Sequence, residues 1–180
     1  MDRFRQRLPS RAELASVFAI IILVIYTWTM LWFFWKLPSW MYFLNAREIL
    51  MVFSYSLATN LLESLAVLAF PLLLAILLPK RWFADAFVAR GAAFALAALG
   101  CLIYLAYQFS SKALYPAVLR SAAPFVAALA LIVLAVYLAG RVVPLRRGIE
   151  FLAERATIFL YILVPLSLLS MLVILLHSLI

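Results

Sequence analysis

Charge is scarce in this 180-residue chain: Asp, Glu, Lys and Arg together make up 12% of it, about half the share usual in soluble domains. Glycine is scarcer still, with four residues standing apart at Gly91, Gly100, Gly140 and Gly148, so there is no glycine-rich loop to cradle a phosphate. One histidine, His177, and one cysteine, Cys101, are the only residues of their kinds. Metal and haem sites draw on clustered His, Cys, Asp or Glu, so a two-His haem site is excluded and no metal site is expected. A lone cysteine also excludes an internal disulfide. No Ser-His-Asp set, paired aspartates or HExxH pattern occurs, which argues against hydrolysis and phosphoryl transfer. Inverted repeats of the transporter kind are not visible. The expectation is a protein that is not an enzyme and holds no cofactor of its own, with room for lipid, quinone or pigment at an interface.

What fills the chain instead is apolar surface. Hydrophobic residues account for 69% of it, against about 45–50% in soluble domains. A soluble domain of this size leaves a large part of its chain wet and has nowhere to hide so much apolar area. The composition therefore predicts an all-α integral membrane protein, since only helices and closed barrels satisfy their backbone within lipid.

A crossing helix needs about 20 mostly apolar residues. Runs bounded by charge supply four such spans directly: 14–35 between Glu13 and Lys36, 91–111 between Arg90 and Lys112, 121–140 between Arg120 and Arg141, and 156–178. The stretch from Ile49 to Pro79 is too long for one straight crossing and too short for two with a turn. It is read as one span over 58–78, preceded by an interfacial segment over 38–57, of which residues 46–57 either extend the second span as helix or lie in the interface. Residues 144–155 form a second interfacial segment. There Leu145, Ile149, Leu152 and Ala156 make an apolar stripe, while Arg146, Glu150 and Glu154 fall on another face. This is a short amphipathic helix on the cytoplasmic surface, running on into the fifth span. The whole of 1–180 is one transmembrane domain, a bundle of about five helices.

Basic residues stay on the cytoplasmic side of inserted helices. With the N-terminus inside, eleven of the 15 fall on inner segments (Arg3, Arg5, Arg7, Arg11, Lys80, Arg81, Arg90, Arg141, Arg146, Arg147, Arg155). Four fall outside (Lys36, Arg47, Lys112, Arg120). The split predicts a multi-pass protein of the bacterial cytoplasmic (inner) membrane with its N-terminus cytoplasmic and its C-terminus outside. The net charge of +8 then reflects topology and attraction to anionic headgroups. Basic residues scattered over short loops do not suit nucleic acid. Trp32, Phe33, Phe34, Trp35, Trp40, Tyr42 and Phe43 read as an outer aromatic belt, and Trp82 and Phe83 as an inner one. A stacking platform for a pigment or quinone ring is the alternative.

Helices in lipid associate through small residues and hydrogen bonds. Ala89, Ala93, Ala97 and Cys101 recur every four residues along the third span, and Ala123, Ala127, Ala135 and Ala139 make a second stripe along the fourth, interrupted by Leu131. These two spans are expected to pack closely, with the slim third span at the bundle centre. Pro71 and Pro165 are expected to bend the second and fifth spans. Among intramembrane polar residues, which are functional candidates by default, Glu63 stands out, with Asn60 and Ser64 beside it. It is read as a structural polar clamp paired with Arg47, Lys112 or Arg120, or else as a substrate, ion or proton site. Arg90 is read as an anchor reaching back to the headgroups or pairing with Asp85. His177 offers a single axial nitrogen to a pigment, or else serves as an interfacial polar end-group.

The stretch Asn60-Leu-Leu-Glu63-Ser64, and the run Glu154-Arg155-Ala156-Thr157 leading to Tyr161 and Pro165, resemble those of polytopic membrane proteins of green non-sulfur (Chloroflexi-type) bacteria. The resemblance covers most of the chain and implies no activity, and no functional residue is carried across from it. From the residues themselves, the expected role is a cofactor-free accessory subunit of a larger membrane complex. A respiratory or photosynthetic electron-transfer complex is the expected setting, with other integral membrane subunits and lipids as partners. The alternative is a small membrane-embedded substrate-capture subunit of a transporter.

Overall fold

A computed structural model of the chain describes residues 9–110 and 123–178, and these are helical with no strand among them. The basic residues Arg3, Arg5, Arg7, Lys112 and Arg120, with the expected end of the third span and start of the fourth, lie outside the described residues. Five long helices account for nearly all the rest. They are α1 (Arg11–Trp40), α2 (Ala46–Leu77), α3 (Phe87–Ser110), α4 (Ala123–Arg141) and α5 (Val143–Ser178). Each is long and apolar enough to cross a membrane.

Local chemistry explains where the helices start. Ser10 caps α1 by accepting from the Glu13 amide at 3.3 Å, while the Glu13 carboxylate accepts from the Ser10 amide at 2.7 Å. Asn45 and Glu48 repeat the arrangement at α2, at 3.0 and 2.8 Å. Each box satisfies amides that the first helical turn leaves unpaired. Between α2 and α3 the chain turns through two short 3₁₀ segments, Lys80–Trp82 and Ala84–Ala86. Between α4 and α5 only Val142 intervenes; its amide donates to Leu138 O and its carbonyl accepts from the Arg146 amide.

Three helices run well beyond their expected spans: α1 takes in residues 11–13 and 36–40, the last three of them expected in the interface, and α2 and α5 extend further. Residues 46–57 continue without a break into α2, and residues 143–155 are the first turns of α5. At 32 and 36 residues, these helices extend about 48 and 54 Å at 1.5 Å per residue, beyond the ~30 Å of a bilayer core. The Arg146–Glu150 ion pair, 2.8 Å long, lies on the first turns of α5.

Close contacts fix the order of the ends. A Cβ placed on Gly91 would lie 3.1 Å from Val17 Cγ2 and 3.7 Å from Pro71 Cβ, so the starts of α1 and α3 meet the last turns of α2. At the opposite end Arg47 Nη2 lies 3.3 Å from His177 Nδ1, and the Phe33 and Phe53 rings meet edge to face at 5.1 Å. The start of α1 and the end of α5 thus stand at opposite ends of the bundle.

The interior is built around α1 and α3. Val17, Ala19, Ile20, Ile21 and Ile22 are all sealed from the surface, which on a helix means partners on nearly every side. One cluster joins Val17, Ile21, Ile22, Ile25 and Tyr26 to Leu57, Phe83, Phe87 and Leu99. Another is lean: Ala19 and Ile20 meet Ala92, Ala153 and Ala156. Small side chains there let three backbones approach, which is how helices gain contact where lipid offers no hydrophobic driving force. Phe83 belongs to the core, 1% exposed and edge to face with Phe87, rather than to an aromatic belt. Phe33 is likewise buried, whereas Trp35, Tyr42, Phe43 and Trp82 are exposed.

Candidate functional site

The polar residues of the bundle meet where α1, α2 and α5 cross. Tyr26 and Thr29 fall three apart on α1, and Leu57 and Asn60 three apart on α2, so each pair lies on one helix face. Tyr26 Oη sits 3.3 Å from Leu57 O and 2.6 Å from Ser167 Oγ. A phenol has one proton; as it donates to Leu57 O, the Ser167 hydroxyl must donate to Tyr26. The resulting relay, Ser167 to Tyr26 to Leu57 O, ties α5 to α1 and α1 to α2. One turn further along, Thr29 Oγ1 donates to Asn60 Oδ1 at 2.9 Å, and Ser64 Oγ donates to Asn60 O at 2.7 Å. Asn60 Nδ2 is buried without a partner among the described residues, an omission that ordinarily costs about 1–3 kcal/mol.

Glu63 lies three residues past Asn60 and is exposed on the side of the bundle. Among the described residues it makes no ion pair or hydrogen bond. Arg47, one of its three expected partners, is engaged with His177 instead; Lys112 and Arg120 lie outside the described residues. Two crevices share Glu63 and Thr29 as walls. One, of about 390 Å³, continues along Val52, Tyr55, Ser56, Thr59 and Asn60. The other, of about 330 Å³, has α1 as its floor and α2 and α3 as walls, with Val24, Trp28, Val67, Leu99, Leu102 and Ile103 supplying apolar surface. It exists because α2 and α3 touch each other only sparingly while both rest on α1. Trp28 carries the lining on towards Trp32, Trp35 and Tyr107.

The remaining candidates are dispersed. The Arg90 guanidinium lies across Gly140 of α4, where a Cβ would come within 2.6 Å of Arg90 Nη2; a side chain at position 140 would displace it. His177 stands at the far end of α5 beside Arg47, about 15 Å along the helix from Ser167 at 1.5 Å per residue. No three His, Cys, Asp or Glu side chains come together as a metal-binding group among the described residues.

The alanine stripes divide. Ala89 and Ala93 are buried, Ala97 and Cys101 half-buried. On α4, Ala139 is buried and Ala135 half-buried, but Ala123 and Ala127 are exposed. The extensive α3–α4 contact runs instead through half-buried Ala128, Ile132 and Ala135 together with Ala139. There the Cys101 thiol points at Ala128 O, 4.0 Å away.

Reading the sequence for ionisable groups found Glu63 and its neighbours and missed Tyr26, Trp28, Thr29 and Ser167. Their signal was present: uncharged polar side chains set three residues apart within apolar runs, as in Tyr26/Thr29 and Ser167/Ser170.

The class the fold defines is a bundle of five helices, each long and apolar enough to cross a membrane, with an internal hydrogen-bonded knot and a side crevice. No known protein family, curated protein or solved structure matches the chain.

Proposed function

We propose that the chain is a non-catalytic accessory subunit of a larger membrane complex, held with its N-terminus cytoplasmic and its C-terminus outside. The orientation is supported by the eleven-to-four distribution of basic residues together with ends that stand at opposite faces of the bundle. The role is supported above all by α4. This helix rests chiefly on α3, and its opposite face carries Ala123, Val126, Ala127, Ala130, Leu134 and Tyr137, all exposed. Small residues one turn apart gain nothing from lipid, but they let a second helix come close. Such a face suits lateral docking of another membrane subunit. Purification in mild detergent followed by native mass measurement tests this: the chain is expected within a hetero-oligomer, and Ala127→Leu with Ala130→Leu is expected to release it without loss of its own stability. A chain that always runs alone or with copies of itself defeats the proposal.

A second reading, substrate capture for a transporter, is favoured by one observation, the crevice walled by Glu63 and Thr29. Uptake lost in Glu63→Gln with assembly intact supports capture; assembly lost supports a purely structural clamp.

A further inference from the structure

We infer that the crevice between α2 and α3 binds a lipophilic organic cation, with the Glu63 carboxylate as its counter-ion. The inference names the ligand class for the capture reading and rests on that reading for its physiological use, though binding itself stands on the geometry alone.

Three features converge. First, the two crevices that meet at Glu63 and Thr29 total a space large enough for a molecule of some tens of heavy atoms, about 330 and 390 Å³, within the range of small-molecule sites. Second, the chemistry is divided. Val24, Ile25, Val67, Leu99, Leu102 and Ile103 present an apolar wall, and Glu63 is the one charged side chain among the described residues lining either crevice. Third, that carboxyl lacks an ion pair or hydrogen bond among the described residues although it lies on a helix read as crossing the membrane. Carboxylates in such positions are costly and pair with whatever cation the bundle provides. Here Arg47, the described cation expected to reach it, is turned to His177. Lys112 and Arg120 lie outside the described residues, and a mobile cation is the partner we assign in the place that Arg47 leaves.

Aromatic geometry strengthens the choice of a cation over a neutral amphiphile. Trp28 borders the apolar crevice and also lines the path to Trp32, Trp35 and Tyr107. Indole faces attract cations, most strongly where water is excluded. The same rim already holds one such contact, with Lys36 Nζ 5.8 Å from the centroid of Trp32. Trp32 in turn meets Trp28 edge to face at 5.9 Å, so the Trp28 ring is held by a neighbour. The polar wall of Tyr55, Ser56, Thr59 and Thr29 would accommodate a polar tail without contributing charge.

The test uses the full chain in lipid nanodiscs and equilibrium dialysis of tetraphenylphosphonium, corrected for protein-free nanodiscs. Saturable binding is expected, weakened at least tenfold by Glu63→Gln and largely kept by Glu63→Asp. Filling the crevice with Val67→Trp is expected to abolish it. Trp28→Leu is expected to weaken it roughly fivefold through loss of the indole face. Tetraphenylborate, equal in shape and opposite in charge, is expected not to compete, and this comparison needs only the native chain should a variant fail to fold. No saturable binding, equal binding by Glu63→Gln, or competition by tetraphenylborate as strong as by the phosphonium itself would each overturn the inference. Binding that persists where uptake is absent overturns the capture reading and leaves the site standing.

Discussion

Removal of the Tyr26 hydroxyl probes how the bundle is held at its centre. Tyr26→Phe keeps the ring that packs against Leu57 and deletes an oxygen 2.6 Å from Ser167 Oγ and 3.3 Å from Leu57 O. The two former partners are not left equally exposed to loss. Leu57 O remains within the α2 ladder. Ser167 can turn to its own helix, as Ser170 does by donating to Leu166 O at 2.9 Å. The substitution therefore forgoes two inter-helix bonds without stranding a donor, and its cost should be close to that of a membrane hydrogen bond, about 1 kcal/mol and no more than about 2. Ser167→Ala should cost a similar amount. Because both act through one contact, the double variant should fall short of the sum by about 0.6–1.7 kcal/mol. Unfolding from mixed micelles by dodecyl sulfate titration, followed by helicity and tryptophan emission, measures all four species. Strict additivity would refute the relay and with it the register of α5 against α1.

The glycines give two opposed expectations. Gly100→Ala should stabilise by about 0.5–1 kcal/mol, since nothing lies within 4 Å of the new methyl and a helical glycine is replaced. Gly91→Ala should gain little, because Val17 Cγ2 and Cγ1 lie 3.1 and 3.3 Å from the same position. Gly91→Leu should lose about 1–3 kcal/mol by overpacking; a native-like titration for that variant would contradict the close approach of α1 and α3. Along α3, Ala93→Leu should destabilise more than Ala97→Leu, since Ala93 is buried and Ala97 only half so. Equal costs in the same titration would show that the helix is turned about its axis.

The α4 stripe shows where sequence pattern and packing part company. A helix advances about 100° per residue, so positions four apart drift by about 40° per step. From Ala123 to Ala139 the drift reaches about 160°, nearly the far side. Ala139 therefore faces α3 while Ala123 and Ala127 face away, and Ala128, Ile132 and Ala135 take the expected place. Counting small residues every four positions identified a packing helix but not its packing face. Glu63 illustrates a related gap. Its position in an apolar run was legible, but the loss of Arg47 as its partner was not, because α5 brings His177 to Arg47 from 130 residues away.

Hydropathy and length alone determined that the chain is helical and that five segments are long and apolar enough to span a bilayer, but not that α2 and α5 start 12 and 13 residues ahead of the expected spans. Those are properties of one helix against its solvent: backbone satisfaction and a fixed rise per residue demand them whatever the neighbours do. Tertiary structure alone decided which side of each helix is inside, that α1 shares the centre with α3, that Phe83 is core, and that Tyr26, Ser167 and Leu57 O form one relay. Lipid is as apolar as leucine and leaves a helix no intrinsic preference for which face to bury. That choice is made by fit between neighbours, a few tenths of an ångström at Gly91 and Val17, and by hydrogen-bond partners far apart in the chain.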